Sequence, residues 1–124
     1  MNFIIIPFVL IASSLSLSAA DQPDKGFYEE PININVNMQN AKISDVIFPL
    51  SGIINSNISV DDKIVNLYSE KRISMTGFFS QKKDILDSLS QNISIAINDQ
   101  RLSASHAITV INGNLNVHIF IVEN

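Results

Sequence analysis

The chain offers few side chains that could do chemistry, and they are scattered along the sequence. It has two histidines, His106 and His118, and no cysteine among 124 residues. Disulfides, thiol nucleophiles and cysteine-based zinc sites are therefore excluded. A zinc site would need both histidines and carboxylates as well. Asp84 and Asp87 could be combined with the histidines into an enzymatic site, but such combinations can be drawn for most chains. The two histidines are expected on opposite faces of a strand pair, so we expect no metal and no cofactor.

Two other groupings suggest chemistry that their surroundings do not support. Asp61 and Asp62 are adjacent carboxylates, but no oxygen ligands follow them at the spacing of a calcium-binding loop. We interpret them, with Lys63, as a solvated turn. Serine, histidine and aspartate do not recur at a spacing typical of a nucleophilic triad. The sequence thus favours a non-enzymatic protein without a small-molecule substrate.

Composition restricts the class of protein and the partners further. The net charge is −4, and Lys and Arg never cluster beyond a pair, which argues against nucleic acid and against anionic lipid as partners. The length of 124 residues and the hydrophobic share of 46% fit one folded domain with one core. Asparagine and isoleucine are abundant, which we interpret first as genome composition.

The first twenty residues resemble an export signal. They carry no charged side chain, the run Phe3–Ala12 is almost entirely apolar, and small residues precede Asp21. We expect a signal peptide over residues 1–20, cleaved after Ala20, and a periplasmic mature protein. The alternative is an uncleaved membrane anchor, although serine and proline dilute the apolar run that a span requires.

A polar segment separates this signal from the domain. Residues 21–31 contain two prolines and a glycine, so we expect a flexible or irregular linker there and a domain over residues 32–124. Phe27 and Tyr28 are adjacent aromatic residues within the linker. They either fold back on the domain or form an exposed aromatic hook for a partner protein.

The best-defined stretch of the domain begins directly after the linker. Apolar residues occupy every second position of Ile32–Met38, and asparagines stand between them, which predicts a strand with one apolar and one amide face. After a corner at residues 39–41, an apolar stripe predicts a helix over 44–54, capped by Ser44. Pro49 in its interior predicts that this helix is bent or shortened. A short strand over 58–60 closes a β-α-β unit.

A second unit follows more loosely. The alternation in Arg72–Phe78 predicts a strand ending near Gly77, and residues 64–67 read as an edge strand or a loop. Ser80 is the expected cap of a second helix, whose outer face carries Lys82 and Lys83 in solvent. The apolar stripe of that helix comprises Ile85, Leu86, Leu89 and Ile93. Alternating isoleucines then predict a strand over 93–97, followed by a loop over 99–105.

The chain finishes with its clearest local signal. Asn112-Gly113 suits a two-residue hairpin turn in which both central residues need positive φ. This turn pairs Val110 with Leu115 and Ile108 with Val117, and it places the polar residues of the two strands on the opposite face.

The order of elements predicts an α+β fold: two β-α-β units forming small split sheets around two helices, plus a C-terminal β-hairpin. Small split sheets expose unpaired backbone N–H and C=O groups that can extend the sheet of a partner. The expected free edges are Ile32–Met38 and Leu115–Val122. The candidate partner-binding side chains on them are Asn33, Asn35, Asn37, Asn116, His118 and Phe120.

The order of motifs resembles a known family. The run Val36–Ile47, with its Asn-Ala corner, and the run Asn57–Asp61 are similar to the short N-terminal domain of secretins and TonB-dependent signalling receptors. A stand-alone exported copy resembles the small accessory proteins of type IVb pilus systems in Gram-negative bacteria. This resemblance implies an outer-membrane secretin, and further pilus-machinery subunits, as partners, and a role in secretin assembly. Pro49 and Gly52 depart from the regular first helix of the family.

The resemblance leaves a second function open. The same domain type could act as a stand-alone signalling module that contacts a regulator or a TonB-like partner. A neighbouring secretin gene would favour the first function, and a neighbouring receptor or sigma-factor gene would favour the second.

Overall fold

The structure, a computed structural model, describes residues 23–124. The expected signal peptide and its cleavage site lie outside these residues. The elements in chain order are α1 (Pro23–Tyr28), β1 (Pro31–Lys42), α2 (Ile43–Ile54), β2 (Ile58–Val60), α3 (Asp62–Tyr68), β3 (Arg72–Gln81), α4 (Lys82–Ile97), β4 (Leu102–Ile111) and β5 (Asn114–Glu123). Within this part of the chain, no helix has the length and apolar character that a membrane span requires.

Two small sheets enclose the core, as the predicted α+β class requires. The first sheet pairs β1 with β3 in antiparallel fashion. The second has the order β2-β5-β4, with β2 parallel and β4 antiparallel to β5. The helix α4 contacts both β3 and β4, and α2 contacts both β1 and β2. The buried residues of the two long helices and of both sheets belong to one continuous core.

The helix α2 is complete despite its proline. It begins at Ile43 and runs through Pro49 without interruption, so the expected shortening is wrong. The expected cap at Ser44 is also wrong, because Ser44 already lies inside the helix. The N–H groups of Ile43 and Ser44 donate instead to the carbonyl oxygens of Lys71 and Ser69. These two carbonyl oxygens accept from two of the N–H groups that every helix start leaves without a partner, so no side-chain cap is needed. Its buried residues are Ile43, Val46, Leu50 and Ile54.

The predicted strand over 93–97 is wrong, because α4 continues to Ile97. Three isoleucines alternate here, which imitates a strand. Ile93 and Ile97 are four residues apart, share one face of the helix and are buried, whereas Ile95 is 74% exposed. The core accepts the first two as one helical stripe, and a single exposed isoleucine costs little.

Three further boundaries differ from the sequence-based expectations. The strand β3 continues past Gly77 to Gln81, and the cap of α4 is Gln81 rather than Ser80. Gln81 and Asp84 form a reciprocal capping box, which satisfies two backbone N–H groups where a single serine would satisfy one. The residues expected to form a turn, followed by an edge strand or a loop, form α3, because Ile64 is fully buried on its inner side.

The predicted corner over 39–41 is wrong because β1 continues to Lys42, and the predicted loop over 99–105 is too long because β4 begins at Leu102. The other expectations concern the two ends of the described chain. The linker is not irregular throughout, since α1 forms within it and contacts α4. The C-terminal hairpin has the predicted register: Val110 lies opposite Leu115, and Ile108 lies opposite Val117. Positive φ at Asn112 and Gly113 confirms the predicted turn residues.

Candidate functional site

The outer edge of β1 has no strand partner among residues 23–124. As the alternation predicts, β1 exposes the side chains of Asn33, Asn35 and Asn37. Of these three, Asn37 has side-chain hydrogen bonds to neighbouring residues. Its Oδ1 accepts a hydrogen bond of 3.0 Å from the side chain of Gln39. The pairing with β3 is irregular at both ends of β1, and Asn33 and Asn40 have positive φ there. The regular edge is therefore the stretch 34–38 between two bulges.

The second expected edge does not exist, because β5 is the central strand of its sheet. It pairs with β4 along its whole length and with β2 over Val117–Ile119. The side chains predicted to line a β5 edge are engaged within the domain instead. Asn116 is 9% exposed and donates to the carbonyl oxygen of Asn114. His118 lies 2.9 Å from the Ser59 hydroxyl and stacks on Phe120.

The second sheet has two outer strands, β2 with 3 residues and β4 with 10, so its long outer edge belongs to β4. Backbone groups of successive residues in an antiparallel strand face alternately toward and away from the partner strand. The N–H of Ala104 donates to the Ser94 hydroxyl of α4 at 2.7 Å and so faces away from β5. By alternation His106, Ile108 and Val110 also face outward. Within the described chain no hydrogen bond engages the outward backbone groups of these three residues.

Phe27 and Tyr28 fold back on the domain, so neither is an exposed hook. Phe27 is 7% exposed and belongs to the core. The Nζ atom of Lys82 lies 4.4 Å from the centre of its ring and also forms an ion pair with Glu30. Lys82 is 7% exposed, so the expectation that it is solvated is wrong. A cation over an aromatic face, held by a carboxylate, secures α1 against α4.

A chain of polar contacts starts at Tyr28. Its hydroxyl lies 2.9 Å from Nδ1 of His106, and Nε2 of His106 lies 2.8 Å from Oδ1 of Asp87. The other oxygen of Asp87 accepts a hydrogen bond of 2.6 Å from Lys83. Partial burial alone would raise the pKa of Asp87, but the hydrogen bonds from Lys83 and His106 outweigh it and lower that pKa. The hydrogen bond to Asp87 likewise raises the pKa of Lys83.

This arrangement joins α1, α4 and β4 through side chains that are far apart in the sequence. Both ring nitrogens of His106 are occupied, one by Tyr28 and one by Asp87. A carboxylate on one nitrogen and a hydroxyl on the other also occur in nucleophilic triads, but here the hydroxyl is the phenol of Tyr28. The histidine therefore acts as a connector in this conformation, and sequence reasoning missed it because its partners are far away in the chain.

A shallow groove lies next to this connector, between α4 and the free edge of β4. Its lining comprises Asp87, Ser90, Gln91, Ser94 and Ile95 of α4 and residues 103–106 of β4. Ser90 is 6% exposed, and its hydroxyl has no hydrogen-bond partner among the described residues. Ile95 contributes an exposed apolar side chain at the rim.

The two histidines do not converge on a metal. His106 lies opposite Ile119 and His118 lies opposite Ala107 in the hairpin. Neighbouring strand residues point to opposite faces, so the two rings lie on opposite sides of the sheet. In the part of the chain that the structure describes, no three histidine, aspartate or glutamate side chains group together as metal ligands.

Comparison of the chain with protein-family models, with curated proteins and with solved structures found no match. The interpretation of the free edges and the groove therefore depends on their geometry alone.

Proposed function

We propose that the protein is a non-enzymatic accessory protein, exported to the periplasm, that binds an outer-membrane secretin. In this role it assists the assembly or stability of the secretin in type IVb pilus biogenesis. The observation that carries the proposal is the free outer edge of β1, where backbone groups and a row of amide side chains face solvent together.

Pairing of strand edges suits such a surface physically. An added strand gains backbone hydrogen bonds along the regular stretch 34–38, while side chains on alternate positions supply specificity. Asn35 offers an amide donor and an acceptor, and Asn37 offers its amide donor because its Oδ1 already accepts from Gln39, so both can meet polar side chains of a partner strand without charge. The bulges on either side limit pairing to a short segment, which favours one register over open-ended aggregation.

The sharpest test places charges on this edge without touching the core. The double variant Asn35→Lys with Asn37→Lys adds two cations to exposed positions, and a charged edge disfavours strand addition. Co-purification of the secretin with this variant should fall by about tenfold or more, which corresponds to about 1.4 kcal/mol of binding free energy. Val36→Pro is a poorer choice, because Val36 is 5% exposed and its loss would also disturb the core.

A matched control carries the same two charges elsewhere. Val65→Lys with Leu67→Lys uses two exposed positions of α3 and should leave secretin binding unchanged. Equal binding by both double variants and the unmodified protein would exclude the β1 edge. Deletion of the protein tests the wider role: the secretin should then fail to reach its heat-resistant multimeric form. A normal yield of multimers in the deletion strain would contradict the assembly function.

A further inference from the structure

The edge of β4 is unusually unguarded. Free strand edges are normally blunted by charged side chains, prolines, bulges or short length. β4 is 10 residues long, pairs with β5 without a register shift and contains no Asp, Glu, Lys, Arg or Pro. The edge of β1, in contrast, is interrupted by two irregularities. The unpaired N–H and C=O groups of such an edge form a template on which another strand can pair.

The accessible part of this edge has a defined end. The Ser94 hydroxyl already accepts the outward N–H of Ala104, so α4 blocks strand addition at that position. The free segment therefore extends from His106 to Val110. Next to its blocked end lies the groove between α4 and β4, and at its other end Val110 is 60% exposed. This edge thus has the groove at one end and the exposed apolar side chain of Val110 at the other.

We infer that β4 pairs in antiparallel orientation with β4 of a second copy of this chain, about a two-fold axis at Ile108. A two-fold interface requires a surface that is complementary to itself, and this edge meets that requirement. The free segment carries no charged side chain, so two copies meet without repulsion between like charges along the strands. The paired copies form one continuous sheet of six strands.

The axis at Ile108 determines which residues meet. Ile108 lies opposite Ile108 of the second copy, and His106 lies opposite Val110 of the second copy. All of them present outward backbone groups, so about six backbone hydrogen bonds form across the axis. Val110 and His106 lie on the same face of the sheet, so the exposed Val110 of each copy falls beside the groove of the other. There Ile95, which is 74% exposed, gains an apolar neighbour.

This dimer is independent of the proposed secretin binding. It uses β4 and leaves the outer edge of β1 free in both copies. A dimer would then offer two identical β1 edges to a ring-shaped partner, which raises avidity where the spacing allows both to engage. Loss of the dimer without loss of secretin binding, or the reverse, separates the two proposals.

Sedimentation of the purified protein tests the dimer directly. As the concentration rises from about 1 µM to about 1 mM, the measured mass should rise toward twice the chain mass. Val110→Lys adds a cation to the free segment and should raise the dissociation constant by about tenfold or more. Val65→Lys on α3, where the side chain is 48% exposed, is the matched control and should leave that constant unchanged. A monomer throughout this range, or equal association of the Val110→Lys variant, would overturn the inference.

Cysteine cross-linking tests the register, because the chain itself contains no cysteine. The two-fold axis at Ile108 places Ala107 of one copy directly opposite Thr109 of the other. Under mild oxidation, an equimolar mixture of the Ala107→Cys and Thr109→Cys variants should form a mixed disulfide faster than either variant forms its own. Circular dichroism confirms that each variant is folded. Equal rates in the mixture and in the separate variants would rule out this register.

Discussion

Phe27 tests how firmly α1 belongs to the domain. Its ring is 7% exposed and lies under the Nζ atom of Lys82 at 4.4 Å. Replacing a buried phenylalanine with alanine costs about 3–5 kcal/mol of unfolding free energy. Because α1 has only 6 residues and can detach locally, we expect Phe27→Ala to lose about 3 kcal/mol, near the lower limit. For a domain of this size the midpoint of thermal unfolding should fall by roughly 15 °C.

Urea unfolding followed by circular dichroism measures this loss. Phe78→Ala is the matched control, because Phe78 is 60% exposed, and it should change the free energy of unfolding by no more than about 0.5 kcal/mol. Phe27→Leu keeps most of the apolar contact and should lose only about 1.5 kcal/mol. If Phe27→Ala and Phe78→Ala were equally mild, the packing of α1 against the core would be wrong, and an aromatic hook would again be open.

Two further changes probe the end of α4 and its polar contacts. Asn98 follows α4 and has a φ of 56°, so Asn98→Ala should lower the free energy of unfolding by about 1 kcal/mol and Asn98→Gly should leave it unchanged. The same urea unfolding measures both variants, and equal losses would contradict a left-handed residue at this position. The contacts of Asp87 with Lys83 and His106 lower its pKa in the folded protein, so they stabilise the fold at pH values above the ordinary pKa of 3.8. This stabilisation is lost as the pH falls through the lowered pKa of the folded state. Asp87→Asn should therefore be less stable at neutral pH and should lose less stability on acidification, and parallel pH profiles of the two proteins would refute this.

Local patterns predicted the elements whose signal is complete within a few residues. The Asn112-Gly113 turn determined the hairpin register, because turn geometry and the apolar alternation of both strands agree. The alternation over Ile32–Met38 predicted β1 for the same reason. The alternation over 93–97 failed, because Ile93 and Ile97 satisfy a helical period equally well. Only the core behind α4 decides between these two periods.

The abundance of asparagine has a structural use that composition concealed. Every non-glycine residue with positive φ in the described chain is an asparagine, namely Asn33, Asn40, Asn55, Asn98 and Asn112. Asparagine tolerates this conformation better than other residues with a side chain. These positions lie at the bulges of β1, after α2 and α4, and in the hairpin turn. Composition alone could not distinguish them from the asparagines that line the faces of strands.

By itself the sequence determined which faces are apolar, where the hairpin turns and that the class is α+β. The tertiary structure alone decided that β5 is central, that β4 is an outer strand of its sheet and that Tyr28 contacts His106. Those outcomes depend on contacts between segments that are far apart in the sequence: β2 pairs with β5, and α1 packs against α4. Closing the loops between such segments costs entropy that only the assembled core offsets, so no short stretch of sequence contains the signal.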